Sequence, residues 1–316
     1  MLSSRLTNGK QTPGHSNLST EARATQPLPR DAIGVAFVLL SGVGVIFLPT
    51  TAKFAYLDGS NVMTVAFARG VIAVLLLMLV VLALRQSLKL PGALLRPSII
   101  AGIAQVFFVY GVYAAIYSIN ISLALLILYL YPIVLAIHQH RQGTIRVKPM
   151  QWLCALITCF GLVLIVGVQV EKVSFLGVAL ALTAMLATVV ITITNVRVTE
   201  TMGSLASNFY MSLWSLVIFS LALLLLGEFV EPQSTLGLVA LVGNGVAYCV
   251  AWVAFFAGAR ILGATRASML SLVEPPAAAL GAWMIFGETY TLLQWFGFII
   301  VLAALFQFEK LSHATR

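Results

Sequence analysis

Charge is what this sequence lacks most. Of its 316 residues only 9% are charged, 60% are hydrophobic and the mean hydropathy is +1.02. A soluble globule carries roughly 25% charged residues, because its surface must be wetted. A chain this poor in charge cannot cover itself in water, and lipid is the solvent in which outward side chains can be apolar. Aspartate is scarcer still: Asp31 and Asp58 are the only two, and both flank apolar runs. Cysteine is limited to Cys154, Cys159 and Cys249, with neither the spacing nor the setting of a disulfide or a zinc site. They read as small buried apolar residues. No Gly-x-x-x-x-Gly-Lys-Ser/Thr loop, His-Glu-x-x-His or Gly-x-Ser-x-Gly occurs. ATP hydrolysis by a phosphate loop is thereby excluded. An intramembrane hydrolase or metal-dependent transferase would need clustered carboxylates or a nucleophile–base pair, and neither is evident. The chain therefore reads as a non-enzyme without catalytic residues, metal or cofactor.

Residues 1–30 lack any apolar run and are rich in Ser, Thr, Gln, Pro and Gly. A secretory signal would need a hydrophobic core. The segment reads as a disordered cytoplasmic tail, and its acid-poor, Arg- and Ser-containing composition also fits an organellar transit peptide.

What the chain does have is ten apolar stretches, at 32–50, 61–84, 97–117, 120–138, 150–169, 173–195, 204–227, 236–257, 264–286 and 290–308. Each approaches the ~20 residues a helix needs to cross hydrocarbon. Lipid offers backbone groups no other partner, so these are expected to be helices. Ten crossings place both termini on one side. Fifteen of the 18 Lys and Arg fall on that side, Lys53 and Lys172 on the other, and Arg69 inside a span. The positive-inside rule then puts both termini in the cytoplasm. The net charge of +8 reads as a topology signal, not as nucleic-acid affinity. The expected location is a cell inner (plasma) membrane, with an organelle membrane as the alternative.

The chain also repeats. A shift of 143 residues carries Gly34-Val35-Ala36 onto Gly177-Val178-Ala179, Gly102 onto Gly245, Pro132 onto Pro275 and Gln151-Trp152 onto Gln294-Trp295. Proline, glycine and a Gln-Trp pair coinciding at one offset mark a duplication. Residues 31–170 and 171–310 are then two five-helix repeats, followed by a short cytoplasmic tail, 311–316. Five is odd, so the halves enter the membrane from opposite sides. The expected fold is an all-α integral membrane protein with ten transmembrane helices as two inverted five-helix repeats. Inverted repeats in secondary transporters supply two similar arrangements, each open to one side.

The second half carries Ser268-Met-Leu-Ser-Leu-Val-Glu274-Pro275-Pro276, Gly287-Glu288 and Leu293-Gln294-Trp295-Phe296-Gly297. With five spans per half, these segments resemble the EamA family of the drug/metabolite transporter superfamily over residues 30–310. The first half departs from the pattern: His138-Gln139-His140-Arg141 stands where many members have Gly-Glu, and Tyr131-Pro132 matches Glu274-Pro275. The resemblance implies a secondary carrier of small metabolites, often an exporter, without identifying the solute.

Two charges lie well inside spans, Arg69 and Glu274. A charge at bilayer depth is costly, so such residues face a bundle interior or a water-filled path. Glu274 is a candidate to bind an amino group or load a proton, or else to lock helices by hydrogen bonding. Arg69 is a candidate to hold a carboxylate, to pair with Glu274, or to snorkel to the interface. Pro132, Pro275 and Pro276 are hinge candidates, against the commoner static kink. Asn208, Asn244, Trp252 and Asn120 are candidates to line a central path, with interhelix packing the alternative. His138 and His140 do not share a helix face and read as interfacial. The function expected is a secondary transporter moving a small metabolite, such as an amino acid or a related compound, by alternating access. Export and proton coupling through Glu274 are favoured. Its partners are a small-molecule solute, the lipid bilayer and protons, with no nucleic acid, and a homodimer is left open. A multi-pass membrane enzyme or a non-transporting scaffold or sensor is the alternative, which the short loops disfavour.

Overall fold

The computed structural model describes residues 30–119, 121–166, 174–227, 229–276 and 290–313. Among them every regular element is helical. The elements are α1 (Arg30–Leu57), α2 (Val62–Ala83), α3 (Gly92–Ser118), α4 (Ile121–Leu128), α5 (Tyr131–Arg141), α6 (Pro149–Val166), α7 (Phe175–Met202), α8 (Ser204–Leu226) and α9 (Thr235–Leu262). After them come α10 (Ala264–Leu270), a tight 3₁₀ turn (Ser271–Val273) and α11 (Leu292–His313). Among the described residues eight helical stretches are long and apolar enough to cross a membrane, counting Leu123–Arg141 (α4 and α5 together) as one, and α6 adds a shorter apolar one. The ninth expected span begins with α10 and continues into 277–289, outside the described residues, as do Gly287-Glu288 and nearly all of the expected tail 1–30.

Side chains such as Leu39, Leu40 and Phe47 on α1, Leu79 on α2 and Leu224 on α8 point outward, exposed. In water such a surface would drive aggregation, whereas hydrocarbon accepts it. The chain is a multi-pass membrane protein. Its helix starts are capped: the Asn61 side chain accepts from the Thr64 N–H at 2.8 Å, and Ser174 and Ser234 accept from Gly177 and Gly237. Single glycines with positive φ, Gly203 (84°) and Gly263 (89°), join α7 to α8 and α9 to α10. A side chain at such a φ would be strained.

Two spans are broken at mid-length. The expected fourth span is not one helix but two, α4 and α5, interrupted at Tyr129-Leu130. Pro132 lies in the first turn of α5, where its missing N–H leaves no gap in the hydrogen-bond ladder. In the ninth span the 3₁₀ turn tightens the helix immediately ahead of Glu274, Pro275 and Pro276.

The halves interleave. The most extensive packing is α1 on α9, α3 on α7 and α6 on α11, with α2 and α8 crossing between them. The 143-residue shift carries the α1–α9 pair onto α7–α3. Close approach depends on glycine. A Cβ on Gly34 would lie 2.7 Å from Leu262 Cγ, and one on Gly177 would lie 2.6 Å from Ile119 Cγ2. Leu262 and Ile119 are themselves related by the shift.

Arg266, one of the fifteen basic residues counted on the cytoplasmic side, is buried near the start of the ninth span. Its guanidinium bonds Asp31 at the start of α1 at 2.8 Å and both carboxylate oxygens of Glu309 near the end of α11. For a buried guanidinium such pairing replaces much of the hydration it has lost. These bonds place both ends of the described chain at the same end of the bundle.

Candidate functional site

The interleaved helices leave a cavity of about 130 Å³ in the interior. Both halves supply its wall. Ser41, Val45 and Leu48 come from α1, Arg69 from α2 and Phe108 from α3; Leu128, Tyr129 and Tyr131 come from the α4–α5 break. Thr188 and Thr192 of α7 follow, then Ala251, Trp252 and Phe255 of α9 and, after the 3₁₀ turn, Glu274.

Glu274 is 7% exposed. The Ser41 hydroxyl reaches its Oε1 at 3.4 Å and the Val38 carbonyl at 2.8 Å. One hydroxyl has one proton, and the shorter contact takes it, so the carboxylate is weakly held. Its stem packs on Gly42, where a Cβ would come within 3.3 Å of Glu274 Cγ. The Glu274 head faces the cavity, with Ser41 of α1 as its hydrogen-bond donor.

Arg69 is 6% exposed and does not snorkel. Its guanidinium carbon stands 4.9 Å over the Tyr248 ring, a cation–π contact that helps offset its desolvation. The Tyr248 hydroxyl meets Ser212 Oγ at 3.3 Å, and Ser212 is the residue the shift pairs with Arg69. The described ion pairs are those of Arg266. Arg69 and Glu274 line one cavity without pairing with each other.

The two broken spans meet here. Tyr131 Oη lies 2.7 Å from Ser271 Oγ, joining the start of α5 to the 3₁₀ turn. Trp252 forms an aromatic wall, stacked on Phe256 at 5.8 Å and edge-on to Phe108 at 5.7 Å. The cavity therefore offers a planar donor fork, a carboxyl group and π faces at separate points, an arrangement that can orient a small polar solute.

The structure brings Glu274, Arg69 and Trp252 together, with Pro275 and Pro276 adjoining Glu274 and Pro132 adjoining Tyr131. Asn208 and Asn244 are outside this lining. Asn208 donates to the Ser204 carbonyl at 2.8 Å and, across helices, to that of Trp252 at 3.4 Å. Asn244 donates to Leu48 O at 2.8 Å and Thr51 Oγ1 at 3.0 Å, tying α9 to α1. Asn120 lies outside the described residues. Ser41, Phe108, Thr188, Thr192 and Phe255 were not singled out from sequence. For the threonines a signal existed: Thr188, Thr192, Asn195 and Thr199 recur at helical spacing along one face of α7.

The sequence matches the EamA-like transporter family over residues 32–167 and 175–308, one match per repeat. No curated protein matches it. A solved crystal structure that is 17% identical superposes with a TM-score of 0.72, covering 90% of this chain and 98% of its own. At that identity the likeness concerns the fold alone.

Proposed function

We infer the activity from one premise: the chain belongs to the EamA-like transporter family, a membrane transporter family of the drug/metabolite superfamily. The reading is a secondary transporter that exports a small metabolite by alternating access. Its ten crossings form two inverted halves in an inner membrane, with both termini in the cytoplasm. The observation that carries it is the shared cavity, where an unpaired guanidinium and an unpaired carboxyl face the same space. An α-amino acid or a related compound suits such a site. Arg69 would hold the carboxylate as a bidentate donor, and Glu274 would receive the amino group.

Proton coupling follows from competition at Glu274. A carboxyl that binds either the solute's ammonium or a proton exchanges one for the other as the two halves rock. Inverted repeats supply the two arrangements, and the breaks at Tyr129-Leu130 and Ser271–Val273 are where the spans can bend.

The test is counterflow in proteoliposomes with pooled labelled amino acids, with and without a pH gradient. Saturable exchange of one pool is expected. Glu274→Gln should abolish its acceleration by the gradient while leaving residual exchange. Gradient-driven transport that persists unchanged in Glu274→Gln would remove Glu274 from the coupling. Absence of exchange for every pool, from folded protein, would overturn the amino-acid reading.

A further inference from the structure

One face of α7 is polar and only partly explained by packing: Thr199 Oγ1 meets Ser207 Oγ of α8 at 2.7 Å, whereas the Asn195 amide has no such contact among the described residues. Thr188 and Thr192 line the cavity, and Asn195 and Thr199 continue the same face toward the bundle end that carries Arg266. All four are buried. The threonine hydroxyls bond back to the carbonyls of Ala184, Thr188 and Asn195 at 2.7–2.9 Å, so the ridge turns hydroxyl oxygens, not methyl groups alone, toward its neighbours. Asn195 is 0% exposed, and neither its Oδ1 nor its Nδ2 has a hydrogen-bond partner among the described residues. Burying an amide without partners is costly, and a native site with one needs an explanation.

Some packing features come in pairs under the repeat, as the Gly34 and Gly177 crossings do, and this ridge does not. The shift places Val45, Pro49, Ala52 and Tyr56 at the corresponding positions of α1, and only the last has a polar atom in its side chain. The ridge ends beside Gly203, whose added Cβ would come within 3.9 Å of an Arg260 guanidinium nitrogen. Leu262, two residues on, packs against Gly34 near Asp31. That is where Arg266 joins Asp31 to Glu309. The positions related to Arg266, Asp31 and Glu309 are Leu123, Ser174 and Val166, none of them charged. The Arg266 ion pairs therefore cannot be duplicated at the related positions.

Building on the transport reading above, we propose that the Thr188–Thr199 face of α7 is the wall of a closed passage from the cavity to the Arg266 end, and that the Arg266–Asp31–Glu309 cluster is the latch that holds it shut. The solute class is the one the cavity takes: a small molecule with hydrogen-bonding groups, for which Asn195 supplies both a donor and an acceptor once the passage opens. Opening hydrates the Asn195 amide, which offsets part of the cost of separating α1, α10 and α11.

Cysteine accessibility tests this. In protein with Cys154, Cys159 and Cys249 replaced by alanine, single cysteines are placed at Asn195, Thr199 and Val198. Val198 is as buried as Asn195, at 0% exposure, but lies off the polar face. Labelling by a membrane-impermeant thiol reagent is followed in lipid nanodiscs with the latch intact and with Glu309→Gln. Loss of one charge-assisted pair should speed labelling of Asn195→Cys and Thr199→Cys roughly tenfold, leaving Val198→Cys slow. Asp31→Asn, which breaks the other pair, should act in the same direction and replaces Glu309→Gln if that variant does not fold. Equal acceleration at Val198→Cys would reveal general loosening and overturn the proposal, as would unchanged rates at all three positions in folded protein. The labelling is read without solute, so its outcome is separate from that of counterflow.

Discussion

Gly34 packs against Leu262, and one repeat later Gly177 packs against Ile119. The Lys148 N–H is accepted by Gln151 Oε1 at 2.9 Å, and the Thr291 N–H by Gln294 Oε1, also at 2.9 Å. In these contacts the first and second halves are near copies. In the cavity they are not. Arg69 corresponds to Ser212, Glu274 to Tyr131 and Ser41 to Ala184. The difference separates two demands on the chain. Helix crossings built from both halves must be compatible with each other, so their glycines and caps are retained in both. On the transport reading proposed above, a small solute with one polarity needs only one carboxyl and one guanidinium. A second buried pair would add desolvation cost without a partner for it.

Three measurements would break or sharpen that contrast. The largest effect is expected where the asymmetry is removed. Arg69→Ser installs the residue its counterpart already carries. Losing a buried charge partner costs about 2–5 kcal/mol, so exchange in liposomes should fall roughly 100-fold. A fall of less than about threefold would separate Arg69 from the solute.

Next come the duplicated crossings. Gly34→Ala and Gly177→Ala each push a Cβ into a neighbouring side chain, and each should destabilise by about 1–3 kcal/mol. Thermal unfolding in detergent should show similar drops in Tm for the two. A drop for one alone would mean that the related crossings are not energetically equivalent.

The smallest effect is expected at the caps. Gln151→Ala and Gln294→Ala should each cost about 1 kcal/mol, typical of a helix N-terminus losing a side-chain acceptor. Chemical denaturation of the two variants checks this, and exchange activity should survive in both. Loss of exchange in Gln294→Ala alone would tie that helix start, whose Nε2 donates to Ile165 O at 3.0 Å, to function.

Much of the architecture was legible because its markers are rare in an apolar chain. Proline, glycine and a Gln-Trp pair recurring at one offset exposed the duplication, and buried Arg69 and Glu274 stood out because a charge in hydrocarbon needs a reason. The interrupted fourth span was less legible. Leu128-Tyr129-Leu130-Tyr131 is as hydrophobic as its surroundings, and only Pro132 marked the place. The pairing of Arg266 was not legible, because its partners Asp31 and Glu309 are 235 and 43 residues away. Ser41 carried no signal: a lone hydroxyl costs an apolar helix little, since it can bond its own backbone.

By itself, then, the sequence determined the solvent, the helical class, the twofold duplication and the presence of two interior charges, because these follow from composition and spacing along one chain. Tertiary structure alone decided which helix faces meet. It brought Arg69, Glu274 and Trp252 to one cavity, set Asn208 and Asn244 to binding neighbouring helices and paired Arg266 with Asp31 and Glu309. In lipid every helix is apolar on most of its circumference, so hydropathy does not say which face turns inward. That rotation is set by close packing at small residues such as Gly34 and Gly177, and by hydrogen bonds to helices far away in sequence.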